Sequence, residues 1–351
     1  MNSFMIKDFL LGSNNPPFII AEMSGNHNQS LERAKEIVRV AASTGAHAIK
    51  LQTYTPDTMT INHRGGLFDI TDKKSLWLGR NLYELYKEAH TPWEWHKPLF
   101  DYAAELGLIC FSTPFDDTAV DFLETLNVPC YKIASFENTD HPLLKKVAKT
   151  GKPVIMSTGI ANLSDIMESV QVLKENGSKE IVLLKCTSTY PATPENTNLV
   201  TIPVLQQVFQ DCIIGLSDHT MGIGASIASI ALGARVIEKH FTISRADGGV
   251  DSTFSMEPAE MKSLVLESER AFLALGQVQL NVQKAEEKSR VFKRSIYVVA
   301  DVKKGDILSS QNLRVIRPGD GLAPKYFESI LGKHFKIDLK TGTPMSMDYL
   351  T

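Results

Sequence analysis

Eight short apolar runs, each able to form a strand, recur between residues 18 and 241, and this repetition restricts the fold more than any other feature of the chain. They are FIIAEM (18–23), HAIKLQT (47–53), LICFST (108–113), CYKIAS (130–135), PVIMST (153–158), EIVLLKCT (180–187), CIIGLSDH (212–219) and RVIEKHF (235–241). Between most of them lie helical stretches, among them SLERAKEIVRVAAS, TAVDFLETL and LSDIMESVQVLKE, whose apolar residues return at i, i+3, i+4 and i+7. A glycine precedes the next strand in STGAHAIK, ELGLICF, KTGKPVIM, ENGSKEIV and ALGARVIE, which is where a left-handed helix stop is wanted. An open doubly wound sheet alternates in a similar way, but eight strands over about 250 residues favour a closed (β/α)8 barrel.

One unit breaks the rhythm. Residues 54–91 form a long polar and aromatic insertion after the second strand, and in a barrel it emerges on the catalytic face. Its tryptophan, tyrosines and phenylalanine suit a substrate-covering lid at least as well as a decorative loop. The last barrel helix is expected at about MEPAEMKSLVLESERAFLAL, closing the first domain (1–276) at Gly276. Residues 277–291 are charged and weakly periodic, as a linker is. Short strands with glycine turns then predict a β-rich second domain at 292–351. At about 60 residues such a domain barely stabilises itself, so docking onto the barrel or onto another subunit is expected.

The net charge of −3, from 37 basic and 40 acidic residues, gives no global footprint for nucleic acid or an anionic membrane. Any bound anion must be held locally. Cys110, Cys130, Cys186 and Cys212 each lie in or beside an apolar run without C-x-x-C spacing, which predicts reduced, buried thiols and a cytoplasmic address. The N-terminal MNSFMIKDFLLGSNNPPF lacks a signal-peptide core, and no run of about 20 apolar residues occurs, so no membrane association is expected.

Inside a barrel, polar residues at strand carboxyl ends are functional suspects. Nearly every run ends in one: Glu22, Lys50 with Gln52, Thr113, Lys132 with Ser135, Ser157, Thr187 with Ser188, His219, and Glu238 with His240. Residues two apart on a strand face the same side, so Lys50/Gln52 and Glu238/His240 are expected to point together. Buried lysines need counter-charges, and Glu22 and Glu238 can supply them. With Ser135, Ser157 and Ser188, Lys50 and Lys132 also make a cradle for a phosphate and a carboxylate. An imine-forming lysine is a further reading. His219 and His240 end consecutive strands about 5 Å apart, so their imidazoles can grip one divalent cation and leave positions for water and a substrate oxygen. Asp251, in ADGGVDSTFSMEP (246–258), reads equally as a turn residue or as a partner for sugar hydroxyls. In RPGDG (317–321), only Arg317 offers anion or amide binding.

The set AEMSGNHN (21–28), AIKLQTYTPDTMT (48–60), STPFD (112–116), YKIAS (131–135), MSTG (156–159), CTSTYP (186–191), GLSDHT (215–220), EKHFT (238–242) and RPGDG (317–321) resembles the sialic acid synthase family over nearly the whole chain, and AEMSGNHN resembles its pseudaminic acid synthase branch. The resemblance implies a TIM barrel followed by an antifreeze-like (SAF) domain, in a domain-swapped homodimer. It implies condensation of phosphoenolpyruvate with an open-chain acetamido sugar, 2,4-diacetamido-2,4,6-trideoxy-altropyranose in that branch, to give a nine-carbon keto acid and phosphate. N-acetylneuraminate or legionaminate synthesis is the alternative, and a Schiff-base pyruvate aldolase a more remote one. By motif, His219 and His240 would be ligands of a divalent cation, Mn²⁺ first, with Mg²⁺ or Co²⁺ as alternatives. Lys50, Lys132, Ser135, Ser157 and Ser188 would hold phosphoenolpyruvate. Glu22, Tyr190, Asp251 and Arg317 of a partner subunit would contact the sugar. Ser188 stands where neuraminate synthases usually carry asparagine.

Overall fold

A computed structural model describes residues 3–351. Eight parallel strands close into a barrel: β3 (Phe18–Glu22), β4 (Ala48–Thr53), β5 (Ile109–Pro114), β6 (Tyr131–Ile133), β7 (Val154–Ser157), β8 (Ile181–Cys186), β9 (Ile213–Ser217) and β10 (Val236–His240). Closure is made by β10 against β3, in a register that sets Val236 beside Phe18 and His240 beside Glu22.

The period-two alternation of these strands explains the whole interior. Phe18, Ile20, Ala48, Ile109, Phe111, Cys130, Ile155, Val182, Leu184, Ile213 and Val236 point inward and pack on one another. The intervening residues, such as Ile19, Ala21, Ile49, Tyr131, Met156, Leu183 and Ile237, pack outward against the helices. Continuing the inward parity toward the carboxyl ends gives Glu22, Lys50, Gln52, Thr113, Lys132, Ser157, Cys186, Ser217, Glu238 and His240. The barrel is therefore apolar at its base and polar at its mouth.

An antiparallel hairpin, β1 (Ser3–Ile6) and β2 (Phe9–Gly12), precedes the barrel. Phe4, Ile6 and Leu11 join the inward cluster from below, each burial worth about 1.5–3 kcal/mol. The hairpin is absent from the reading of the sequence above. Its signal is faint: four-residue strands joined through Lys7 at φ 54°.

Helices end where the glycines stand. Gly45 follows the helix Leu31–Ser43 at φ 85°, and Gly107 follows the helix Trp93–Glu105 at φ 73°, left-handed values costly for any residue with a Cβ. The last barrel helix spans Pro258–Leu275. Two strands stop two residues short of the carboxyl ends of their apolar runs. CYKIAS is strand only to Ile133, and Ser135 begins a 3-10 turn, Ser135–Glu137. CIIGLSDH is strand only to Ser217, because the Asp218 carboxylate turns the chain by accepting from Thr220 N at 2.9 Å and Ser226 Oγ at 2.6 Å.

The 54–91 insertion is built rather than loose. It holds the helices Pro56–Met59 and Leu82–Ala89, and the Asn81 amide donates to His63 O, Phe68 O and Asp69 Oδ1 at 2.8, 3.1 and 2.8 Å.

The chain divides into two compact units, the first running to Gly276 and the second Gln277–Thr351. Residues assigned to a linker on composition group with the second unit, where Lys284–Phe292 forms an exposed 3-10 helix. The second unit pairs β11 (Ser295–Val298) with β12 (Leu313–Ile316) over a core that includes Ile296, Val298, Leu313, Ile330 and Phe335. All four cysteines are buried and free. Among the described residues no helix is long and apolar enough to cross a membrane.

Candidate active site

The polar mouth of the barrel opens into a cavity of about 360 Å³, roofed by the 54–91 insertion. At its floor two lysines and two glutamates interlock. Lys50 Nζ lies 3.0 Å from Glu22 Oε2 and 3.5 Å from Glu238 Oε2, and donates to Thr113 Oγ1 at 3.2 Å. Lys132 Nζ donates to Ser157 Oγ at 2.7 Å and to Ile133 O at 3.0 Å, and lies 3.8 Å from Glu238 Oε1. The counter-charges expected for both lysines are thus in place. Gln52 Nε2 donates to Glu22 Oε1 at 2.8 Å and to Ser24 Oγ at 3.1 Å, and Ser24 Oγ donates to Asp251 Oδ2.

Burial and charge set the protonation of this group. Burial pushes Glu22 up to about 7, with Lys50 opposing and Glu238 assisting. Burial pushes Glu238 the same way, yet Lys132 and Lys50 outweigh it and hold that carboxyl below its usual range. Burial lowers Lys132, only partly offset by Glu238, whereas the two glutamates overcome burial and raise Lys50. The floor therefore holds one firm carboxylate, one firm ammonium, a glutamate that titrates near neutrality and a lysine displaced below its usual range.

Beside the lysines is an anion cradle. Ser135 Oγ accepts from Gly159 N at 3.2 Å. A Cβ at Gly159 would lie 2.1 Å from Ser188 Oγ and 2.6 Å from Ser135 Oγ, so only glycine leaves both hydroxyls their space. The Asn138 amide pins this turn by donating to Ser157 O at 3.2 Å and Gly159 O at 3.0 Å.

The two histidines stand on the other side. Their ring centroids are 5.3 Å apart, with Tyr190 4.6 Å from His219 and Phe254 4.9 Å from His240. His219 Nδ1 is engaged with Thr187 O at 3.0 Å, which fixes that nitrogen as the donor and, in the neutral ring, leaves the Nε2 lone pair bare. His240 Nδ1 is buried with no hydrogen-bond partner, 3.7 Å from Asp251 Oδ2. Burial, with the neighbouring His219 and Lys50, holds His240 well below the usual imidazole range and so neutral. Burial opposes charge on His219, but Cys186 and Thr187 O outweigh it and raise that imidazole, so a divalent cation held here would have to displace its Nε2 proton and bind both rings through nitrogen lone pairs. Among the described residues no group of three or more His, Cys, Asp or Glu is disposed to hold one, so a cation here would complete its shell with substrate and water oxygens.

Of the residues singled out in the sequence, Lys50, Gln52, Lys132, Ser135, Ser157, Ser188, Tyr190, His219, Glu238, His240 and Asp251 line the cavity. Glu22 and Thr113 are outside the lining but touch Lys50 Nζ, at 3.0 and 3.2 Å. Arg317 is exposed in the second unit, outside this lining. The structure adds Cys186 and Ser217, legible by carrying the inward parity one step further, and Ser24, which lies beyond the end of β3 at φ 46°. It also adds Gly159 and Glu137, which lie past the strand ends, where parity is lost. Glu137 Oε2 is buried without a partner, and burial raises its carboxyl to about 7.

The chain matches the NeuB family over residues 37–280 and the SAF domain over 293–350. It is 44% identical to the pseudaminic acid synthase of Campylobacter jejuni subsp. jejuni serotype O:2 over 93% of this chain and 94% of that one. It is 43% identical to the pseudaminic acid synthase of Helicobacter pylori over 95% and 97%. The N-acetylneuraminic acid synthetase structure from Leptospira borgpetersenii superposes with a TM-score of 0.73 at 32% identity, covering 82% of this chain and 95% of that one. A barrel mouth of this composition, with relatives matching from end to end, leaves one assignment: the chain belongs to the NeuB family, with a SAF domain as its second unit.

Proposed function

We propose that this protein condenses phosphoenolpyruvate with the open-chain aldehyde of 2,4-diacetamido-2,4,6-trideoxy-altropyranose, giving pseudaminic acid and phosphate. The observation that carries the reading is the meeting, in one cavity, of two buried lysines, the Ser135–Gly159–Ser188 cradle and two lone-pair imidazoles. The pseudaminic acid synthases named above, aligned over more than nine-tenths of the chain, support the choice of acceptor.

Phosphoenolpyruvate brings a phosphate and a carboxylate. Lys50 and Lys132 neutralise them, while the hydroxyls of Ser135, Ser157 and Ser188 orient the phosphate. A divalent cation, Mn²⁺ before Mg²⁺ or Co²⁺, held by His219 and His240, would supply Lewis-acid polarisation of the aldehyde oxygen. Carbon 3 of phosphoenolpyruvate then attacks the aldehyde carbon, and carbon 2, left electron-poor, takes the oxygen of a water molecule. Glu22, with its pKa near 7 and its orientation fixed by Gln52, is suited to receive the water proton. The tetrahedral product loses phosphate by C–O cleavage, with Lys50 and Lys132 stabilising the departing charge. Tyr190 and Asp251 face the acceptor, and Arg317 would reach it from a partner subunit in a domain-swapped dimer.

Water labelled with heavy oxygen tests the scheme. The label belongs in the keto acid; label in the released phosphate overturns the reading. One observation favours a second chemistry: burial lowers the Lys132 ammonium, as an imine-forming lysine requires. Turnover that survives strong chelation and is trapped by borohydride would establish that alternative.

A further inference from the structure

His219 and His240 share a site but are held by different kinds of backbone. His240 is the last residue of β10, whereas β9 ends at Ser217 and leaves His219 out on a turn. The ladder between the two strands closes with the bond from Asp218 N to Glu238 O at 2.9 Å. Among the described residues no ladder bond to β10 follows it. The other bonds of His219, from Ala192 N to its carbonyl at 3.0 Å and between its Nδ1 and Thr187 O, come from the segment after β8 and do not reach β10. Yet the two rings stand 5.3 Å apart, side by side.

Lys239 makes the missing connection. Glu238 and His240 point inward, so Lys239, between them, points outward, where it is 1% exposed. Its Nζ donates to Asp218 Oδ2 and to Gly222 O, each at 3.1 Å, and to Thr220 O. An ammonium has three donors, and all three go to the turn, on both sides of His219. The Asp218 carboxylate is fixed in its place by Thr220 N and by Ser226 Oγ, which belongs to the helix Gly224–Ala231. The layer around this pair is otherwise apolar, with Ile214, Leu216 and Ile237 packed against the helices. Apolar residues of similar volume generally serve cohesion there as well as a buried ion pair does, or better. What an ion pair adds is direction, because its three acceptors admit one position of the turn.

We propose that Lys239 is the positioning residue of the histidine pair: its ammonium ties the turn that carries His219 to the strand that carries His240 and sets the spacing at which both rings share one divalent cation. The inference rests on the metal-assisted reading above and adds the group that prepares the site before any metal arrives. Metal–nitrogen bonds tolerate a spread of only about 0.2 Å, so a turn free to swing by about 1 Å would present one imidazole at a time. Residues that orient metal ligands without touching the metal typically carry a factor of about 10–100 in affinity.

The test titrates Mn²⁺ into the full chain without substrates and follows the free ion by electron paramagnetic resonance. Lys239→Met removes the tether; Asp218→Asn with Lys239→Met removes it without leaving a buried charge alone. Both should raise the Kd for Mn²⁺ by about 10- to 100-fold, while calorimetry without metal shows phosphoenolpyruvate bound as in the parent. The Mn²⁺ concentration for half-maximal phosphate release should rise by the same factor, with kcat recovered at saturating Mn²⁺. Ser226→Ala is the control for a merely structural role: it weakens the support of Asp218 but leaves the tether, so melting falls and Mn²⁺ affinity holds. An unchanged Kd for Mn²⁺ in folded protein of either tether variant overturns the proposal, as does an equal loss of affinity in Ser226→Ala. Failure of both tether variants to fold makes Lys239 a folding residue and overturns it as well. A parent that binds phosphoenolpyruvate but no Mn²⁺ sinks the metal pair itself, whereas a parent that binds Mn²⁺ with unaltered variants sinks the positioning role alone.

Discussion

Replacing Gly159 by alanine isolates the anion cradle from everything else in the site. Gly159 does not have a left-handed φ, so alanine adopts its backbone without strain. The new methyl would lie 2.1 Å from Ser188 Oγ and 2.6 Å from Ser135 Oγ, and both hydroxyls must move. A serine hydroxyl turns away by rotating about one bond, so the fold loses little. The phosphate loses its partners. A hydrogen bond to a charged group is worth about 1.5–3 kcal/mol, and because the two hydroxyls act together we take a joint loss of about 3 kcal/mol. At about 1.4 kcal/mol per factor of ten, kcat/KM for phosphoenolpyruvate falls by about 150-fold. Steady-state phosphate release against phosphoenolpyruvate concentration, at saturating acceptor, reads this directly, with calorimetric melting as the control on folding. A variant that melts like the parent and keeps its KM for phosphoenolpyruvate within about threefold would show that the phosphate does not lie between these hydroxyls.

Three further substitutions probe the surrounding structure. The Glu137 carboxyl is raised from 4.5 to about 7 chiefly by burial, so the stability it contributes is present below about 4.5 and is lost as pH rises through 7. Glu137→Gln should therefore match the parent in urea unfolding at pH 4 and exceed it at pH 8 by up to about 3 kcal/mol; equal stability at both pH values contradicts the burial argument. Asp218→Asn leaves the ammonium of Lys239, 3.1 Å from Asp218 Oδ2 and fully buried, without its counter-charge, and should cost about 3–5 kcal/mol in denaturant unfolding. A cost under about 1 kcal/mol means that the carbonyls of Thr220 and Gly222, which Lys239 also reaches, suffice. His240→Ala should abolish phosphate release while calorimetric binding of phosphoenolpyruvate persists. Activity retained after chelation in this variant removes the metal pair from the mechanism.

Most of this site could be read from the chain because one rule generates it. Successive inward positions of a strand are two residues apart, so Phe18, Ile20 and Glu22, or Val236, Glu238 and His240, pass from floor to mouth in two steps. Wherever the strand persists, the rule identifies the lining, and it extends without amendment to Cys186 and Ser217. It stops where the backbone turns. Ser135, Gly159 and Glu137 owe their places to 3-10 turns and loops after β6 and β7, whose geometry depends on tertiary bonds such as those from Asn138 to Ser157 O and Gly159 O. Local sequence carries no trace of such bonds. The N-terminal hairpin escaped for the opposite reason, since four-residue strands are too short to show a period, and the barrel floor it covers lies far off in sequence.

The same geometry explains why two lysines are tolerated in an interior that otherwise admits only branched apolar side chains. Each unpaired ammonium there is heavily penalised, and removal of one partner from a buried pair typically costs about 3–5 kcal/mol. Glu22 and Glu238 offset that cost before any substrate arrives, and their unequal protonation is what makes the arrangement reversible. Glu238, faced by both lysines, remains ionised. Glu22, which burial raises to about 7 against the opposing Lys50, can take up a proton near neutral pH. An apolar floor would be more stable but could not hold the anion. A floor of two firm carboxylates would hold the lysines too tightly to release them.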